Sequence, residues 1–128
     1  MERRLVSSGT DWEDEVGYSR AVRAGDTVHV AGTTATDEDG EPLDAGPYAQ
    51  TKRALELVAD ALAEAGASVE DVVRTRLYVT DIDAWEEIGR AHGEVFGDVR
   101  PAATMVEVER LIEPSLIVEI EADATIAD

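Results

Sequence analysis

Glu119 is the residue whose surroundings best suit chemistry. It stands in Leu116-Ile-Val-Glu-Ile120, a carboxylate among apolar neighbours on a segment that reads as a strand. Near an interface cleft such a group rises in pKa and can act as acid or base. An interface salt bridge is the other use of the same position. His92, on an expected helix, can also exchange protons near neutral pH, or simply sit on the helix surface. Tyr18 can hydrogen-bond a ligand or pack beside a loop. Trp85, in the first turn of the helix that carries His92, can pack or line a ligand site. His29 alternates with Val28 and Val30 and reads as an interface residue. Thr104 would need an adjacent base to become a nucleophile, and none can be placed beside it.

Other chemistries lack their residues. The chain has no cysteine, so it has neither a thiol nucleophile nor a disulfide. His29, His92 and the scattered acids do not have metal-motif spacing, and no cofactor is expected. Gly25, Gly32 and Gly40 fit turns and strand ends, not a phosphate loop. With 29 acidic against 11 basic residues the net charge is −18, and Lys52 is the only lysine. No basic stripe is left for nucleic acid. The acids are spread along the whole chain, which suits either ordinary charge-based solubility or a halophilic cytoplasm. At about 1 M salt the Debye length is roughly 3 Å, so the self-repulsion would be screened. No apolar run approaches the roughly 18 residues of a membrane span, and Met1-Glu-Arg-Arg-Leu5 lacks a signal-peptide core. A cytoplasmic protein without membrane partners is expected.

The elements that must position these groups follow from periodicity. Arg3 to Ser8 suits an edge strand. Arg20 to Ala24 and Thr27 to Ala31 flank Gly25-Asp26 as a hairpin. Thr36 to Pro47 is a loop rich in Asp, Gly and Pro. Ala54, Leu57, Val58, Ala61, Leu62 and Ala65 form one stripe of a helix over Tyr48 to Ala65. Val72 to Thr80 alternates as a strand, with Val73, Thr75, Leu77 and Val79 on one face and Arg74, Arg76 and Tyr78 on the other. Asp83 is expected to cap a second helix, with Glu86 completing a capping box, and Gly97 ends it. Ala102 to Leu111 and Leu116 to Ala124 are expected to pair across Ile112 to Ser115. The result is one α+β domain over residues 1–128, with two helices on one face of a mixed sheet. The other face, expected to carry Ala103, Met105, Glu107, Ile117, Glu119 and Glu121, is half apolar and suggests a subunit interface.

Several of these segments resemble, in order, the motifs of the Rid family (RidA, YjgF-like, also known as the L-PSP endoribonuclease family). They are Val16-Gly-Tyr-Ser-Arg-Ala21, Val30-Ala-Gly-Thr33, Val69 to Asp81, Pro101 to Val108 and Val118-Glu-Ile-Glu-Ala122. The resemblance implies a chorismate-mutase-like fold and a homotrimer with three inter-subunit clefts. In deaminating members such clefts hydrolyse reactive imines and enamines. An arginine binds the substrate carboxylate, a glutamate on the last strand handles water, and a tyrosine and the backbone near a glycine complete the pocket. Carried over by position, Tyr18, Gly32 and Glu119 are retained, with Thr33 and Met105 beside them. The arginine position is Ala103, and a pocket asparagine falls near Gly89, one turn before His92.

Alanine offers neither charge nor donor, so a bidentate grip on a carboxylate is lost there. Either the substrate has no carboxylate at that point, or another arginine supplies the charge. Arg76 is the first candidate and Arg100 the second, although Arg76 also suits an ordinary ion pair. The expected function is hydrolysis of a small imine, enamine or related metabolite, with Glu119 and His92 handling protons. Tyr18, Gly32, Thr33, Arg76, Trp85, Ala103 and Met105 would line the substrate. The alternative is a metabolite-binding or chaperone-like trimer without turnover.

Overall fold

The long apolar stripe does form a helix, and it carries the core. The structure is a computed structural model that describes residues 2–127 of the 128. The strands are β1 (Arg3–Val6), β2 (Ala21–Ala24), β3 (Thr27–Thr34), β4 (Val72–Val79), β5 (Ala102–Glu107) and β6 (Val118–Thr125). The helices are α1 (Asp11–Val16), α2 (Pro47–Glu64) and α3 (Trp85–Phe96). Pro47 opens α2, where a missing N–H costs nothing. Gly66, at φ 86°, follows its last turn in the left-handed conformation that glycine tolerates. Ala54, Leu55, Val58, Ala61 and Leu62 of α2 pack with Ile88 and Phe96 of α3 against Val28, Val30, Leu77, Val79, Val118, Ile120 and Ala122.

The sheet order is β1-β2-β3-β6-β4-β5. All neighbours are antiparallel except β4 and β5. The expected pairing of the last two strands is therefore wrong, because β4 lies between them. The helix α3 returns the chain to the end of the sheet where β4 began, so β5 must run parallel beside β4. Residues 108–117 then carry the chain past β4 to its other side. Gln50, fully buried on α2, holds that connection. Its Nε2 donates to the carbonyls of Leu43 (3.3 Å), Ala45 (3.1 Å) and Ser115 (2.9 Å), and its Oε1 accepts from Ile117 N (2.8 Å).

The strand order also reverses which side β5 shows. Ala103, Met105 and Glu107 are in register with Thr75, Leu77 and Val79, so they share the helix-covered side, and Met105 packs on the core. Ala102, Thr104 and Val106 take the open face, where Arg74 donates to Thr104 Oγ1 (3.4 Å). The assignment of Ala103, Met105 and Glu107 to the open face is overturned. The expected core-facing position of Val73 is overturned as well: a register irregularity between Val72 and Arg74 turns it outward, and Val72 is buried in its place. Asp83 does not cap α3. Asp81 accepts from Asp83 N (3.0 Å) and starts a single 3₁₀ turn that leads into the helix. A capping box does occur, between Ser68 and Asp71 before β4.

The centre of the open face is more polar than the alternation suggested. Glu119, Glu121 and Asp123 project from β6 beside Arg76 and Tyr78 of β4. Arg76 Nη1 lies 3.1 Å from Asp123 Oδ2 and 3.9 Å from Glu121 Oε1. Tyr78 donates to Glu121 Oε1 (2.7 Å), and His29 Nδ1 lies 2.7 Å from Asp123 Oδ1.

Candidate functional site

The Glu119 carboxylate sits where β3 departs from regular pairing. Glu119 is in register with Thr34 on β3 and Tyr78 on β4. Between Val30 and Thr33 the register of β3 shifts, and Gly32 lies in that irregularity. A Cβ on Gly32 would run into Glu119 Oε2 and lie 3.0 Å from its Cδ. The glycine thus leaves room for the Glu119 carboxylate opposite. Thr33 turns toward the core, and its hydroxyl donates to the Ala31 carbonyl (2.8 Å).

Arg20 joins this group from just before β2. Its Nη2 donates to the Gly32 carbonyl (2.6 Å), and its guanidinium carbon lies 6.0 Å from the centre of the Tyr18 ring. Tyr18, Arg20, Gly32, Thr33 and Glu119 all line one open cleft of about 990 Å³. Burial pushes the Glu119 carboxyl above the ordinary value; Arg20 opposes the rise and Glu121 adds to it. A half-buried carboxyl of this kind can hold a water and exchange a proton with it.

The chain reaches Tyr18 through α1, a six-residue helix that periodicity missed because it has no apolar stripe. The backbone carbonyl of Glu13 accepts from Gly17 N (2.9 Å) and Tyr18 N (3.1 Å). Its carboxylate is buried and accepts from Ser7 Oγ (2.9 Å), Ser8 N (3.2 Å), Ser8 Oγ and Thr10 Oγ1 (3.2 Å). Burial alone would raise its pKa, but these donors, Ser8 first, bring it below the ordinary carboxylate value. Thr10-Asp-Trp-Glu13 has the spacing of a helix-start motif, which was the one signal for both α1 and Glu13.

The remaining candidates form a second group, on the helix-covered side. His92 Nε2 lies 2.9 Å from the hydroxyl of Thr75, which is wholly buried and in register with Ala103. The His92 ring packs on Phe96 at 4.7 Å, and burial lowers its pKa, which favours the neutral imidazole. Trp85 heads α3 and is 56% exposed. A Cβ at Gly89 meets nothing within 4 Å. Within one chain, then, His92 does not join Glu119, because the sheet stands between them. Arg76 is engaged by Asp123 and Glu121 on the open face and does not line the Glu119 cleft. Arg100, at φ 58°, closes α3 through its N–H to Phe96 O (2.8 Å). Two arginines do line the cleft, Arg20 and Arg53, and the one beside Gly32 and Tyr18 is Arg20, which sequence reasoning passed over inside the tyrosine motif.

Residues 10–126 match the family described as Endoribonuclease L-PSP. The chain belongs to this family. Its fold is the chorismate-mutase-like fold of the YjgF/Rid structures, as the resemblance implied. Rv2704 of Mycobacterium tuberculosis, a solved member of the YjgF/YER057c/UK114 family, is 52% identical with a TM-score of 0.89, covering 98% of this chain and 100% of that one. SCO2049 of Streptomyces coelicolor is 44% identical over 124 residues, 94% of this chain and 90% of that protein. The 3-aminoacrylate deaminase RutC of Acinetobacter baylyi is 32% identical over 108 residues, 84% of this chain and 85% of that protein. No helix among the described residues of this family member is long and apolar enough to cross a membrane.

Proposed function

We propose that this L-PSP family protein is a cytoplasmic homotrimer that hydrolyses a small reactive imine or enamine in clefts between subunits. The observation that carries the reading is the half-buried Glu119, its pKa raised by burial, set against Gly32 and Tyr18 in an open cleft. The division of the candidates into two groups on opposite sides of the sheet supports assembly. One subunit offers Tyr18, Gly32, Thr33 and Glu119, and a neighbour offers Ala103, Met105, His92 and Trp85 near its β5 edge. The relative named as a 3-aminoacrylate deaminase supports the reaction class.

In this mechanism an enamine first takes a proton on carbon to become the imine. Glu119 orients a water against the C=N carbon and accepts its proton as the C–O bond forms. Glu119 then gives that proton to the carbinolamine nitrogen and takes the hydroxyl proton as the C–N bond breaks, so that ammonia and a carbonyl product leave. Ala103 supplies no cation, so the substrate lacks a carboxylate at that point or has it held elsewhere. RNA is a poor substrate for a chain of net charge −18 with no basic stripe. The test is ammonia release from freshly generated imines at high KCl, for wild type and Glu119→Gln. Acceleration lost in the variant is expected; equal rates for the two proteins refute the mechanism.

A second reading, ligand binding without turnover, is favoured by Ala103 and by a 25% identical structure, Escherichia coli TdcF with bound serine (TM-score 0.81). A metabolite that raises the melting temperature and is recovered unchanged would decide for it.

A further inference from the structure

We infer that Arg20 is the positioning residue of this cleft, assembling Gly32, Tyr18 and Glu119 around one guanidinium. The inference rests on the proposed role of Glu119. Its geometric basis is threefold. Arg20 Nη2 holds the Gly32 carbonyl at 2.6 Å, which fixes the backbone where β3 breaks register. The guanidinium lies over the Tyr18 ring at 6.0 Å, within the range of a cation–π contact. It also borders the same cleft as Glu119, without lying within 4.0 Å of any carboxylate among the described residues. Its charge is therefore not consumed by an ion pair, as that of Arg76 is.

The groups that face Glu119 show why this charge matters. From β6 comes Glu121, from β4 come Tyr78 in register and Arg76 two residues away, and from β3 come Thr34 and Gly32. Arg76 is held by Asp123 and Glu121, and Tyr78 donates to Glu121. Glu119 thus has one acid and a neutral phenol beside it, and Arg20 is the cation that lowers its pKa. A general base must be ionised before it can take a proton from water. Arg20 keeps Glu119 in that state at lower pH than burial would otherwise permit.

The experiment follows the Glu119 carboxyl carbon by ¹³C NMR across pH, assigned by its loss in Glu119→Gln. Arg20→Gln is expected to move the midpoint upward, and Arg20→Lys to leave it nearer wild type. Arg53→Gln removes the other arginine of the cleft lining and is expected not to move it. In kinetics, Arg20→Gln loses kcat at the acid end and recovers as pH rises, a pattern that loss of folding does not produce. An unmoved midpoint in Arg20→Gln overturns the inference. If that variant does not fold, the guanidinium ¹⁵N signals of Arg20 in the wild type take over: they must titrate with the Glu119 midpoint, and no response is fatal. None of the NMR readings needs turnover, so absence of hydrolysis would sink the proposed reaction and leave this coupling standing.

Discussion

Gly32→Ala separates the contribution of close approach at the site from that of the fold. The new Cβ meets the end of a side chain: Glu119 Oε2 overlaps it, and Glu119 Cδ and Cγ lie 3.0 and 3.2 Å away. Glu119 must rotate off its position, at a cost of about 0.5–1.5 kcal/mol for a strained rotamer. Against this, alanine restricts the unfolded chain and stabilises by about 0.4–1 kcal/mol where the backbone suits it. It does here, because Gly32 is not among the positive-φ residues. The two terms nearly cancel, so melting should shift by no more than about 4 °C. The rate should not escape so lightly. Displacing a water-orienting oxygen by about 1 Å costs on the order of 100-fold in kcat/KM. Thermal melts and ammonia release at high KCl read the two effects separately. The sharper check repeats Gly32→Ala in a Glu119→Ala background. There the overlap is gone, and the same substitution should become stabilising by about 0.4–1 kcal/mol. A rate within threefold of wild type, or no stabilisation by Gly32→Ala in the Glu119→Ala background, refutes the reasoning.

Thr75→Val should leave the half-buried His92 Nε2 without its hydroxyl partner and cost about 1 kcal/mol by chemical denaturation, most of it recovered in Thr75→Val/His92→Phe. Because the His92 pKa is lowered in the fold, the unfolded chain binds more protons there. Stability should therefore fall as pH drops below about 6.5, and His92→Phe should flatten that slope in pH-dependent melts. The lowered pKa of Glu13 makes its contribution present above the unfolded carboxylate value and lost as pH falls through the folded one. Glu13→Gln should therefore melt lower at pH 7 and converge with wild type in acid. If the acidity is a halophilic adaptation, the melting midpoint should climb as KCl is raised toward about 1 M, where the Debye length is roughly 3 Å; a flat profile would favour plain charge-based solubility.

Local pattern carried the reading wherever one element decides it. The α2 stripe, the Gly25-Asp26 hairpin and the acid among apolar residues on β6 were all legible. The strand order was not, since β5 and β6 look like a hairpin in sequence and only the return of the chain through α3 puts β4 between them. That single error moved Ala103, Met105 and Glu107 to the wrong side. Residues on β5 are mostly exposed on both sides, so alternation gave no correction. Arg20 escaped notice because its signal is three-dimensional: it lies twelve residues from Gly32 and acts across the register break in β3.

Gln50 has a dynamic consequence. Leu43 and Ala45 belong to one surface connection, Ser115 and Ile117 to another, and Pro42, Ile112, Glu113 and Leu116 from the two connections line the cleft. One buried amide therefore stitches both rims to α2, so they should not fray independently. Opening either rim breaks bonds that hold the other, which makes the mouth of the cleft one cooperative unit with a shared opening free energy. Amide exchange at Leu116 and Leu43 should then keep a common rate as conditions change, and access to Glu119 should be governed by one breathing motion.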